Sequence, residues 1–179
     1  MGARTDRLTG ATMAGELSHL DEQGRAHMVD VGEKPITRRE CVARGEVRMQ
    51  PETLARISEG SIPKGDVFAT ARLAGIQAAK RTDQWIPLCH SLPLDSVEIE
   101  LTPDPEGSRV MIRARALAHW RTGVEMEALV AVSAAGLTIY DMCKAIDRGM
   151  TLGDVQLVSK SGGKSGKWEQ PAEAPREKG

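Results

Sequence analysis

Aromatic side chains are scarce in this sequence: 179 residues contain one Phe, one Tyr and three Trp. A surface that stacks many bases, as single-strand nucleic-acid binders use, is therefore not expected. Cysteine is nearly as rare. Cys41, Cys89 and Cys143 are odd in number and lack CxxC spacing, which argues against a disulfide framework and suits a reducing cytoplasm. No apolar run approaches the roughly 20 residues that cross a bilayer, and the opening MGARTDRLTG has no apolar core of a secretory signal. No strong charge of one sign is present either. A net charge of −1 gives no bulk attraction to nucleic acid or an acidic membrane, so any anion site must be local.

What is present reads as one domain. Residues 1–25 mix charge, Gly, Ser and Thr without period and are expected to be a disordered polar tail; 26–167 carry the fold, and 168–179 are a second polar tail. Ala43, Gly45, Val47 and Met49 alternate with Arg44, Glu46 and Arg48, a strand pattern. Pro51 opens a short helix, PETLARIS, that Gly60 is placed to end. SIPKGD follows as a loop, and Asp66 caps a helix over 67–82 with a close-packing face of Val67, Ala71, Ala74 and Ala78 and with Lys80 and Arg81 in its last turn. WIPLCHSLPLD is too proline-rich for regular structure and too apolar for a solvated loop. Two alternating runs, 97–101 and 110–116, joined by PDPEGS form a hairpin, and Val155, Leu157 and Ser159 mark a last strand. Between them lies GVEMEALVAVSAAGLTIYDMCKAID, a helix with Leu129, Val132, Leu137, Tyr140 and Cys143 at helical steps and many small residues, hence pressed against a neighbour. The order gives an α+β, ferredoxin-like βαββαβ fold with helices on one face of an antiparallel sheet.

Chemistry-bearing residues cluster in five stretches. Asp141 and Lys144 stand at i and i+3 in partly apolar company, either as a surface ion pair or as a proton-transfer couple. Lys64, between Pro63 and Gly65, is either a solvated turn residue or a mobile cation that closes on an anion. Cys89 and His90 lack zinc spacing; His90 suits acid-base work or an anion contact better than Cys89 suits nucleophilic attack. SKSGGKSG has Val158 where the first glycine of a phosphate-loop motif belongs and no helix after it, so it is no nucleotide-hydrolase P-loop. It is a flexible segment whose lysines either wrap phosphates or form a basic tail. Glu125 and Glu127 suit the first turn of the long helix. Asp141 is fourteen residues beyond Glu127, roughly 21 Å along a helix at 1.5 Å per residue. One site can use both only with a long ligand or a second chain.

HMVDV (27–31), PKGDVFATARLAGIQAAKRT (63–82), IPLCH (86–90), TGVEMEAL (122–129), LTIYDMCKA (137–145) and KSGGKSG (160–166) resemble the molybdenum-cofactor biosynthesis protein C family, the cyclic pyranopterin monophosphate synthases. The resemblance spans about 25–167. It implies conversion of (8S)-3′,8-cyclo-7,8-dihydroguanosine 5′-triphosphate to cyclic pyranopterin monophosphate and pyrophosphate, a lyase-type reaction. It also implies a hexamer, a trimer of dimers with its site between subunits; the cytoplasmic location and the expectation of neither nucleic-acid nor membrane partners come from the cysteine usage, the charge and the aromatic scarcity above. No resident cofactor and no metal is implied, although magnesium could accompany the triphosphate. By position, Asp141, Lys144, Lys64 and His90 resemble catalytic residues. Leu88, Cys89, His90, Met126, Glu127 and Glu125 resemble the substrate-binding segments, and Lys160, Lys164 and Arg39 the phosphate grip. Ser91, Arg121 and Val130 depart from the family's usual proline, lysine and threonine. The rival classes are a nucleotide hydrolase and a ferredoxin-like ligand-sensing or nucleic-acid module.

Overall fold

The computed structural model describes residues 23–164 and 166–171. Its elements run β1 (Thr37–Arg48), α1 (Pro51–Ser58), α2 (Val67–Ala79), α3 (Thr82–Trp85), β2 (Ser96–Asp104), β3 (Arg109–Trp120), α4 (Glu125–Cys143), β4 (Thr151–Ser161) and β5 (Trp168–Glu169). The sheet order is β2-β3-β1-β4-β5 with every pair antiparallel. The first four strands thus have the split βαβ arrangement of the ferredoxin-like fold.

Alternation along β1 to β3 sorts the two faces. Ala43, Val47, Val110, Ile112, Ala114 and Ala116 point inward and are buried beneath the helices. The opposite face carries ion pairs: Arg115 joins Glu40 at 2.9 Å and Glu98 at 3.0 Å, and Arg109 joins Glu46 at 2.6 Å and Asp104 at 2.7 Å. Helix starts follow their sequence signals. Pro51 occupies the first turn of α1, Gly60 takes φ +69 just after its end, and Asp66 accepts a hydrogen bond from the Ala69 amide at 2.9 Å.

α4 is the core helix. It is 19 residues long and apolar, and 11 of these residues are buried. Small residues set how close its neighbours come. A Cβ at Gly75 of α2 would sit 2.9 Å from the Ala131 carbonyl oxygen and overlap Ile99, so only glycine permits this helix–helix approach. The expected apolar stripe of α4 is displaced in consequence. Ala128, Ala131, Val132, Ala135, Ile139 and Cys143 form the buried face, whereas Leu137 turns outward and is 53% exposed.

Four other expectations change. α2 ends at Ala79, leaving Lys80 as its C-cap and Arg81 beyond it. The next four residues form α3, a single turn too short to show a period. Asp147 is past the end of α4 and buried, accepting from the Gln50 amide at 2.8 Å and the Thr53 hydroxyl at 3.3 Å to cap the start of α1. Trp168 and Glu169, read as tail, pair with Lys160 and Ser159 at the sheet edge. Of the two tails, 1–22 and 172–179 lie outside the described residues.

Candidate active site

The C-terminal end of α4 holds a three-membered charge cluster. Asp141 Oδ1 lies 2.7 Å from Lys144 Nζ, and Asp141 Oδ2 accepts from Lys64 Nζ at 2.9 Å. Lys64 also donates to the Asp141 backbone oxygen at 2.8 Å. The loop between α1 and α2 delivers Lys64: Ile62 is buried and anchors it, and Gly65 at φ +101 turns it. Hydrogen bonds from Lys144 and Lys64 draw the Asp141 carboxyl down to about 2, and Asp141 in turn raises the Lys144 ammonium. The surroundings are wetter than expected. Helical periodicity turns Met142 and Cys143 into the core, which leaves Asp141 and Lys144 on the outer side of α4, and in the single chain both side chains are more than half exposed.

At the other end of α4 the environment is dry. Glu127 is only 4% exposed, and burial, helped by Glu125 and Asp83, pushes its carboxyl up to about 7. It lines a cavity of about 310 Å³ with Leu88, Cys89, His90, Met126 and Glu125. The 86–95 segment reaches this place because alternate residues turn inward: Ile86 packs on Ala78, Val130 and Ala134, and Leu92 and Leu94 pack on the main core. His90 Nε2 lies 2.7 Å from the Val29 carbonyl oxygen. A carbonyl only accepts, so Nε2 carries a proton and, in the neutral ring, Nδ1 is an acceptor. Burial and the nearby Glu127 raise the Cys89 thiol, which keeps it protonated and disfavours thiolate attack.

A second cavity, about 520 Å³, adjoins the first through Lys34, Thr122, Gly123 and Glu125, which line both. Arg39, Lys160 and Lys164 face it, and Lys160 Nζ lies 3.1 Å from Glu125 Oε1. The glycine-rich segment folds against β1 here. Gly162 and Gly163 have φ of +101 and +71, and a Cβ at Gly163 would overlap the Arg39 guanidinium. Lys34 and Arg121 also line this cavity, and neither is among the site residues expected from sequence. Lys34 sits in an ordinary GEKP turn, whose placement depends on β1 running beside β3; Arg121 stands out only as a departure from the family's usual lysine.

The expected residues thus fall into two groups. Arg39, Leu88, Cys89, His90, Glu125, Met126, Glu127, Lys160 and Lys164 surround one joined cleft, while Lys64, Asp141 and Lys144 stand together at the far end of α4. Among the described residues no cluster of His, Cys, Asp and Glu has the makings of a metal site.

Residues 28–163 match the family model described as the MoaC family. A curated relative from Pelotomaculum thermopropionicum, named cyclic pyranopterin monophosphate synthase, is 60% identical over 157 residues, covering 88% of this chain and 92% of its own. Relatives of the same name from Roseiflexus sp. and Chloroflexus aurantiacus are 62% and 58% identical, covering 84% and 87% of this chain and 96% of theirs. A family match across three quarters of the sequence, with identities this high over nearly whole relatives, places the joined cleft and the Asp141 cluster in one family context: the chain belongs to the MoaC family.

Proposed function

We propose that this chain is a cyclic pyranopterin monophosphate synthase acting early in molybdenum cofactor biosynthesis. It converts (8S)-3′,8-cyclo-7,8-dihydroguanosine 5′-triphosphate to cyclic pyranopterin monophosphate and pyrophosphate, as a phosphorus–oxygen lyase. The observation that carries this reading is the joined cleft, cationic at one end and dry and acid-base competent at the other. The chemistry needs both. Forming a cyclic phosphate makes a bond from a substrate hydroxyl oxygen to the α-phosphorus while the α–β bridging bond breaks and pyrophosphate leaves. The hydroxyl proton needs a base, and the charge on the departing pyrophosphate needs cations. Arg39, Lys160 and Lys164 suit the triphosphate. Glu127, near neutral in pKa, and His90 suit the proton transfers of ring opening and pterin closure.

Asp141, Lys144 and Lys64 join the same site in a homo-oligomer, a trimer of dimers, in which a second copy supplies the far end of α4. Two features support this. Glu127 and Asp141 lie equally far from Ala134, so a two-fold axis beside Ala134 would set the Asp141 end of one copy opposite the Glu127 end of the other. An apolar groove of about 350 Å³ between α2 and α4, lined by Ala74, Ala78, Trp85, Ala134 and Leu137, runs up to Asp141, with Trp85 and Leu137 about half exposed. The enzyme works in the cytoplasm without nucleic-acid or membrane partners and without a resident cofactor, magnesium entering only with the substrate.

Purified protein given the cyclised dihydroguanosine triphosphate should release pyrophosphate and form the pterin, and Asp141→Asn and Lys64→Ala should lose this while remaining folded. Steady phosphate release from ordinary GTP, with the cyclised compound untouched, would overturn the reading.

A further inference from the structure

Among the described residues, two buried side-chain polar atoms have no hydrogen-bond partner: Thr37 Oγ1 and Arg121 Nε. Buried polar groups are nearly always paired, because leaving one unpaired costs on the order of 1–3 kcal/mol. Both residues line the 520 Å³ cavity, and the fold puts them side by side: Thr37, the first residue of β1, pairs with Trp120, the last of β3, and Arg121 is the next residue. The same corner is already crowded with donors. Arg39 donates from Nε to the Trp120 carbonyl at 3.4 Å and from Nη2 to the Arg121 carbonyl at 3.3 Å. Arg121 Nη1 donates to the Gly32 carbonyl at 2.6 Å, which holds the guanidinium in place and fixes the turn that brings Lys34 to the cavity. A held guanidinium whose buried Nε–H is unpaired, a buried hydroxyl with no hydrogen bond, and Lys34, Lys160 and Lys164 around them form a donor set with one carboxylate, Glu125, for company.

Resting on the function proposed above, we infer that Thr37 and Arg121 are substrate-contacting residues that complete an oxyanion subsite for the pyrophosphate portion of the triphosphate. Arg121 contributes its Nε–H and charge, and Thr37 contributes its hydroxyl. A charge-assisted bond from an arginine held in one geometry is stronger than a neutral one, so Arg121 carries the larger share.

Inorganic pyrophosphate is the probe, titrated calorimetrically into the full chain. Wild type should bind it; Arg121→Ala should weaken binding about tenfold and Thr37→Val about threefold to fivefold, from the ordinary worth of charged and neutral hydrogen bonds. Thr37→Ser, which keeps the hydroxyl, should restore binding, whereas Arg121→Lys, which keeps the charge but not the held Nε–H, should recover only part of the loss. Valine matches threonine in shape and leaves the Gly32 bond intact, so a purely structural role for this corner predicts no change in Thr37→Val. Binding by that folded variant within twofold of wild type would overturn the assignment, as would a wild type that does not bind pyrophosphate. Pyrophosphate binding that responds to both residues in a protein that does not turn over the cyclised triphosphate would leave the subsite standing and remove the proposed function.

Discussion

The two ends of α4 carry carboxylates under opposite physical conditions. Glu127 is buried with its charge opposed; Asp141 is in water with its charge fastened by two ammoniums. Their responses to pH are opposite as well. The Glu127 carboxyl, ordinarily near 4.5, titrates at about 7 when folded, so its contribution to stability is fully present below 4.5 and is lost as pH rises through 7. The Asp141 carboxyl, ordinarily near 3.8, titrates at about 2, so its contribution is present above 3.8 and is lost as pH falls toward 2. Near neutral pH only the Glu127 end can gain and lose a proton readily. The Asp141 end, as it stands in one chain, is a fixed arrangement of charge.

The contrast can be broken in several places. The largest effect is expected from Asp141→Asn or Lys64→Ala, each of which should lower kcat by about 10³-fold, while melting stays near wild type because both side chains are about half exposed. Glu127→Gln should lower activity about a hundredfold and remove the Glu127 part of the pH dependence described above, leaving the Asp141 part. At pH 8 it should also stabilise the fold, by up to about 3 kcal/mol in denaturant melts, since it removes a buried carboxylate that titrates at about 7 rather than near 4.5. A wild-type and Gln variant with parallel stability curves from pH 4 to 8 would show that Glu127 is not held neutral. Between the two ends, Gly75→Ala should cost about 1–3 kcal/mol by forcing α2 off α4. The smallest effect belongs to Asp147→Ala, about 1 kcal/mol from loss of the cap on α1, with kcat unchanged.

Much of this was legible in the sequence, for local reasons. Pro51, Gly60 and Asp66 act on the backbone within a turn of where they stand, and the helix boundaries they announce are found where expected. The βαββαβ order followed from period-two and helical patterns, and the Asp141–Lys144 neighbourhood from i,i+3 spacing. The separation between the Glu127 and Asp141 ends followed from helix rise alone. What stayed hidden depends on packing. Leu137 looked like core by hydrophobicity, but the face that packs closest is made of alanine and glycine, which carry little hydrophobic signal. The contact between Lys64 and Asp141 spans 77 positions, and nothing local predicts it. Lys34 and Arg121 enter the site only because β1 and β3 run side by side, and the exposure of the Asp141 cluster depends on which way Met142 and Cys143 turn.

The central claim is that both ends of α4 serve one reaction in one site built from two copies. It is tested most directly by mixing two inactive variants, Asp141→Asn and Glu127→Gln, unfolding and refolding them together, and measuring pyrophosphate release from the cyclised dihydroguanosine triphosphate. Mixed dimers contain one site with both wild-type ends, so activity should return to about a quarter of the wild-type level, as expected when half of the dimers are mixed and each has one intact site of two. Mixed oligomers that form and stay as inactive as either parent would contradict the account.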